Sequence, residues 1–279
     1  MKRRNFIRLS SSATALYFLD AHLLLSNTTC TAMSTPNLPR ITALQLLTTT
    51  PLEAMKKFYT QLIGFSLVSE SATELNLQCG ETFITFVKIN KLSVRPFYHF
   101  AFNIPENKIL QAYEWQKAKT PIVMPRPDAK NDGRTAGHPR EIYHFRHWNA
   151  HAFYFLDPAG NLVEYIARHE LPNGSSGGFS VEDILYASEI GFIVDRPGDE
   201  ARHVQNDLGL LPYAGNSDTF QPMGDAYGLL LVLQRGNVWT GPGGKGQETD
   251  VFETKVTIRS EQALEWQLLG YPYRVVAAG

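Results

Sequence analysis

Cysteine is nearly absent from this chain: only Cys30 and Cys79 occur. Cys30 falls within or beside an N-terminal segment that reads as separate from the fold, so Cys79 stands alone in the remainder. That excludes an internal disulfide framework and a thiolate metal cluster. An excess of charge of either sign is also missing. With 26 basic residues against 27 acidic ones the formal charge is −1, which leaves no electrostatic footprint for nucleic acid and makes a small molecule the default partner. An uninterrupted apolar run of about 20 residues, which a membrane span needs, is lacking too, because Asp20 breaks the candidate near the N-terminus. What is present is 43% hydrophobic residues over 279 positions, enough for one or two domains with a sizeable core. Packing must hold that core.

Residues 1–34 read as a leader. Lys2-Arg3-Arg4-Asn5-Phe6-Ile7-Arg8-Leu9 resembles the twin-arginine export motif, a modestly apolar stretch runs on to Leu25, and small residues around Thr31-Ala32 suit cleavage. The expectation is export to the periplasm; a disordered basic N-terminus is the alternative. Asn27-Thr28-Thr29 before Cys30 makes a poor lipoprotein box.

Beyond the leader the chain repeats a pattern at about 70 residues. A first module, 35–95, starts with an apolar strand from Ile41, then a helix opened by Pro51, with Leu52, Met55, Phe58, Tyr59 and Leu62 on one face and Gly64 as a left-handed stop. Short strands are expected around 66–68, 74–77 and 82–88. A second module, 96–172, starts with Phe97 to Ile104, where His99 and Ala101 share one face while Tyr98, Phe100 and Phe102 share the other. A helix from Glu106 to Lys119, a strand near Pro121 to Met124 and a polar loop from Arg126 to Glu141 follow. Residues 173–180 contain Asn-Gly-Ser-Ser-Gly-Gly and read as a flexible linker. A third module, 181–250, has its first strand from Ile184 and a helix from Asp199 to Leu208. The fourth, 251–279, is truncated, with a strand from Phe252, a helix from Glu261 to Leu269 and a strand from Tyr271 to Val276.

The most informative stretch is His144 to Arg168. Two apolar strands, His151 to Leu156 and Leu162 to Ala167, meet at Asp157-Pro158-Ala159-Gly160-Asn161, a sequence built for a tight reversal. One acid, Glu164, sits inside the second strand among Leu162, Val163, Tyr165 and Ile166. A buried carboxylate needs a strong partner, and a metal ion is one.

Phe153-Tyr154, Asp157-Pro158, Gly160 and Glu164, with His147 upstream and five residues between it and the Phe, resemble the extradiol dioxygenase pattern; Phe145 departs from it, standing where a smaller residue belongs. The wider resemblance is to the vicinal oxygen chelate superfamily of glyoxalases, fosfomycin and bleomycin resistance proteins and extradiol dioxygenases. It implies an α+β fold of tandem βαβββ modules in curled mixed β-sheets, with modules one and two forming the metal-binding cup. It also implies ligands on the first and last strands of a module. In module two these are His99 and Glu164, with Gln45 as the third candidate and His144, His147 or His151 as alternatives. The corresponding places in modules one and three hold Leu44 or Gln45 with Ile84, and Glu189 with Val232.

Imidazole with carboxylate suits Fe(II), Mn, Ni or Zn, and a facial triad of two His and one carboxylate, as the extradiol resemblance implies, favours Fe(II). The function expected is an extradiol-type dioxygenase in which His147 is the acid/base and Tyr154 orients a small vicinal-oxygen substrate. Trp148, Asn149, His151 and Glu189 are pocket candidates. The rivals are a glyoxalase-like lyase or isomerase and a binding protein without chemistry. On the bland reading His99 is a core histidine bonded to Glu164 with no metal, and Glu189 faces a separate metal-free cup or a strand edge. A second copy of the chain, in a homodimer, is the other partner considered.

Overall fold

A computed structural model describes residues 40–278 apart from 91, 92, 94, 125–134, 241–244, 261 and 262. Residues 1–34, expected to be an export leader, and most of the polar loop expected in module two lie outside these residues.

The first module comprises β1 (Ile41–Thr48), α1 (Leu52–Lys56), β2 (Ser66–Glu70), β3 (Glu74–Cys79) and β4 (Thr82–Lys88). Helix α1 continues as a π-helical segment, Lys57–Ile63, and stops at Gly64, whose φ of 106° is the left-handed geometry anticipated there. The second comprises β5 (His99–Ile104), α2 (Ile109–Lys117), β6 (Tyr143–Phe145), β7 (Ala150–Leu156) and β8 (Leu162–Arg168). The segment near Pro121 forms no strand of its own; Ile122 makes a single bridge to Phe155. The third comprises β9 (Tyr186–Val194), α3 (Pro197–Leu208), β10 (Phe220–Asp225) and β11 (Gly228–Gln234), followed by a small ribbon of β12 (Val238–Thr240) and β13 (Gly246–Glu248). The last comprises β14 (Thr254–Arg259), β15 (Leu264–Gln267) and β16 (Tyr273–Ala278).

In every module the first and last strands run parallel: β1 with β4, β5 with β8, β9 with β11, and β14 with β16. The architecture is α+β, with two curled mixed seven-stranded sheets. Their strand orders are β15-β16-β14-β1-β4-β3-β2 and β10-β11-β9-β5-β8-β7-β6. First strand pairs antiparallel with first strand at each centre, β1 with β14 and β5 with β9. Module two therefore shares its sheet with module three, not with module one, and module one shares its sheet with module four. This corrects the expectation that modules one and two form the cup. Sequence adjacency misled because a strand pair is fixed by nonlocal hydrogen bonds and packing.

Two other expectations change. The segment at 261–269 holds strand β15 where a helix was expected; its backbone pairs antiparallel with β16 from Leu264↔Ala277 to Gln267↔Arg274, and this partner outweighs a short ambiguous apolar pattern. The linker is also tied down. Lys108, 1% exposed, donates from Nζ to the carbonyls of Ser176, Gly177 and Gly178 at 3.2, 2.8 and 3.0 Å. A buried ammonium needs acceptors, and successive carbonyls of a Gly-Ser turn supply them.

One core draws on both sheets and the helices, including Phe65, Phe86, Phe100, Phe102, Tyr165, Phe192 and Tyr273. As the alternation of β5 predicts, Phe100 and Phe102 enter this core while Ala101 joins a second cluster with Trp148, Ala150, Ala152, Ile166, Leu229, Leu231 and Leu233. That second cluster lines the cup of the second sheet. No helix among the described residues is long and apolar enough to cross a membrane.

Candidate metal centre

One row of residues crosses the cup. Tyr154 on β7 stands opposite Glu164 on β8, Glu164 opposite Ala101 on β5, Ala101 opposite Glu189 on β9, and Glu189 opposite Leu229 on β11. Two acids thus flank an alanine. Its methyl group leaves room for the side chain of His99, two residues earlier on the same face. His99 Nε2 lies 3.4 Å from Glu164 Oε2 and 3.9 Å from Glu189 Oε2. Ligand atoms of the three residues all lie within 4.8 Å of one another. On β11 the same face carries Leu229, Leu231 and Leu233, so the fourth strand adds no donor.

All three side chains are buried. His99 Nδ1 lies 3.0 Å from the Leu162 carbonyl, which fixes the proton on Nδ1 and leaves Nε2 with its lone pair facing the acids. Burial holds the imidazole down at a pKa of about 4, so it is neutral. Burial, then the charge of Glu189, push the Glu164 carboxyl well above the usual range, against Arg168. Burial also pushes Glu189 up to about 7, again opposed by Arg168. Glu164 Oε1 has no hydrogen-bond partner among the described residues. A neutral imidazole lone pair, an orphaned carboxylate oxygen and a second carboxylate fit a divalent first-row metal.

Around this group lies a cavity of about 390 Å³. Its wall includes Val123, Tyr143, Phe145, Trp148, Phe220 and Trp239, and no lysine or arginine lines it among the described residues. Tyr154 reaches the group from β7, its ring centroid 5.9 Å from that of His99. Burial, then the carboxylates of Glu164 and Glu189, keep its phenol protonated. His147 lines the cavity from an exposed position at its rim, and Trp148 is buried in its wall.

Other candidates go elsewhere. Gln45 lies on β1 in the other sheet, beside Thr85 and Lys255, because module one is not the partner of module two. Glu189, in contrast, could serve as a third ligand and faces the same cup as His99, not a separate one. His151 points away from the cup, since it lies an odd number of residues from Tyr154 on a regular strand. It joins a histidine cluster instead, with His169 Nε2 2.7 Å from its Nδ1 and Thr135 Oγ1 2.5 Å from its Nε2. His144 stacks on it at 4.3 Å and shares that outer face. Asn149 is exposed and serves the backbone: its φ of 43° makes the turn into β7, and its carbonyl accepts from His169 N at 2.9 Å.

Sequence reasoning missed Arg168, although a signal was there. It follows Glu164 by four positions on one strand, so both face the cup side. Trp239 and Phe220 come from module three and had no local signature.

The family model of the Glyoxalase/Bleomycin resistance protein/Dioxygenase superfamily matches residues 40–165 of the chain. Among solved structures, a protein provisionally designated a dioxygenase from Bacillus subtilis subsp. subtilis str. 168 shares the fold with a TM-score of 0.53. It is 13% identical over 85% of this chain and 84% of that one. A mutant glyoxalase I from Zea mays gives a TM-score of 0.50 at 14% identity, over 86% of this chain and 93% of that one. At such identities the likeness is one of fold. No curated protein matches the sequence.

Proposed function

We propose that the chain is a metal-dependent vicinal oxygen chelate enzyme, and more narrowly an extradiol-type dioxygenase for a small, uncharged, ring-bearing substrate with two adjacent oxygens. The observation that carries this reading is the His99, Glu164 and Glu189 group at the floor of an aromatic cavity. Three protein donors would leave room on a bound ion for a chelating substrate, which a closed four-ligand structural site would not. The three residues would hold the ion, with Fe(II) the choice for this reaction; when bound, it supplies Lewis-acid and one-electron chemistry toward O₂. Tyr154, kept protonated by its burial, donates to a substrate oxygen. His147 at the rim takes and returns the diol proton. Trp148, Phe220 and Trp239 grip the ring and exclude water. Among the described residues the wall offers no cation for a substrate bearing several carboxylates.

A glyoxalase-like lyase or isomerase is the second reading. It is favoured by the presence of two carboxylates at the centre, since one could move a proton while the other holds the metal. Anaerobic loading with Fe(II) and an oxygen-electrode assay against a panel of catechols separates the two. Oxygen uptake with a ring-cleaved product, lost in Glu164→Gln and lowered about 10²- to 10⁴-fold in Tyr154→Phe with metal retained, supports the dioxygenase. Metal binding without oxygen uptake and with proton exchange at a substrate carbon supports the lyase. No metal uptake from Fe(II), Mn(II), Ni(II) or Zn(II) overturns both. We also propose that residues 1–34 direct twin-arginine export; cell fractionation of the wild type beside a variant with Arg3 and Arg4 both changed to Lys tests it, and an unchanged periplasmic fraction refutes it.

A further inference from the structure

Arg168 is 0% exposed, lies at the end of β8 and is absent from the cavity wall, yet one of its terminal nitrogens bonds Glu189 Oε1 in a short ion pair. Glu189 Oε2 is the oxygen that faces His99 Nε2. The two oxygens of this carboxylate are therefore divided between two duties. Arg168 is itself held from three sides. Its Nε donates to Asn103 Oδ1 at 3.3 Å, the Trp148 ring covers its guanidinium at 5.1 Å, and the Tyr213 ring lies at 6.0 Å. Asn103 cannot turn away, because its Nδ2 donates to Tyr186 Oη at 2.9 Å and to the Ala226 carbonyl at 3.1 Å. Trp148 is anchored in turn by its indole N–H, which donates to the Ala214 carbonyl at 2.6 Å. Glu164 has no such restraint on its free oxygen.

We infer that Arg168 is the positioning residue of the metal centre: by occupying Oε1 it restricts Glu189 to one metal-facing oxygen, and so keeps two neighbouring coordination positions open for a bidentate, vicinal-oxygen ligand. The inference rests on the metal reading above. A carboxylate with both oxygens free can take two positions on one ion, and a planar guanidinium fixed by a second acceptor is the side chain that prevents this. Arg168 touches neither cavity nor substrate, so its effect passes through Glu189.

The test compares bidentate with single-atom ligands on the full chain loaded with Co(II). The probes are 4-nitrocatechol, which needs two adjacent positions, and azide, which needs one. In Arg168→Met the affinity for 4-nitrocatechol falls at least tenfold, while the affinities for Co(II) and azide change less than threefold. Arg168→Lys keeps the charge and the fold but cannot bridge Asn103 and Glu189 together; it shows the same split at smaller size, about threefold or more, and carries the test if Arg168→Met does not fold. Equal 4-nitrocatechol affinity in wild type and variants overturns the inference alone. A parallel loss of Co(II), azide and 4-nitrocatechol makes Arg168 a merely structural residue and also overturns it. Failure of the wild type to take up Co(II) overturns this inference together with the metal reading.

Discussion

His99 turns its Nε2 to within 3.4 Å of Glu164 Oε2 while its Nδ1 is held 3.0 Å from the Leu162 carbonyl. One strand thus fixes both the orientation of the imidazole and the acid it faces, because Leu162 and Glu164 lie on β8 beside His99 and Ala101 of β5. Such second contacts orient ligands in metal sites.

Glu164→Gln keeps the shape of that pair and removes the charge. Metal affinity should fall at least tenfold, measured by equilibrium dialysis against Mn(II) or Fe(II). The metal-free variant should be as stable as metal-free wild type or up to about 2 kcal/mol more stable, because a buried charge has gone. Only the wild type should gain melting temperature on metal addition, since a ligand stabilises the state that binds it.

His151 predicts an acid-sensitive outer face. Burial, then the charges of His144, His169 and His138, lower its pKa to about 4, against 6.5 when the chain is unfolded. The groups around it are those three histidines, the Thr135 hydroxyl and, beyond His169 at 3.5 Å, Glu106. The unfolded chain binds the proton first, so this contribution to stability is complete above about pH 6.5 and is lost as pH falls toward 4. Urea unfolding of metal-free protein at several pH values between 7.5 and 4.5 should show a smaller loss in His151→Gln than in wild type. Parallel curves would refute it.

Gly80 is where the first module meets the start of the third. Its φ is +50°, and a Cβ there would lie 1.9 Å from the Leu185 carbonyl oxygen, which accepts from Glu81 N at 2.8 Å. Gly80→Ala must push the two backbones apart and should cost about 3 kcal/mol or more in chemical denaturation, through both strain and the displaced hydrogen bond. A loss below about 1 kcal/mol would show that the contact yields easily.

Lys108→Met removes the cation that three linker carbonyls share. The cost should be about 2 to 4 kcal/mol, since hydrogen bonds from a charged donor contribute most when buried and their acceptors are left unpaired. Limited proteolysis should cut the variant at 173–178 faster than wild type, with metal content unchanged.

The faces of the strands were legible from local pattern. Period-two alternation put His99 and Ala101 on one side of β5 and Phe100 and Phe102 on the other, and the Asp157 to Asn161 turn set the hairpin that brings Tyr154 opposite Glu164. The same parity argument sends His151 outward, where it pairs with His169. Helix against strand at 264–267 was not legible, because four residues carry too little periodicity and β16 supplies the deciding partner.

By itself the sequence determined the modules, the apolar and polar faces of their strands, and the single module that carries both a first-strand histidine and a last-strand acid. These follow from short-range geometry that every residue obeys locally. Tertiary structure alone decided which module completes the cup. The pairing of β5 with β9 brings Glu189 to His99, and the pairing of β1 with β14 takes Gln45 away, because strand partners are chosen by hydrogen bonds and packing between distant segments that no local pattern encodes.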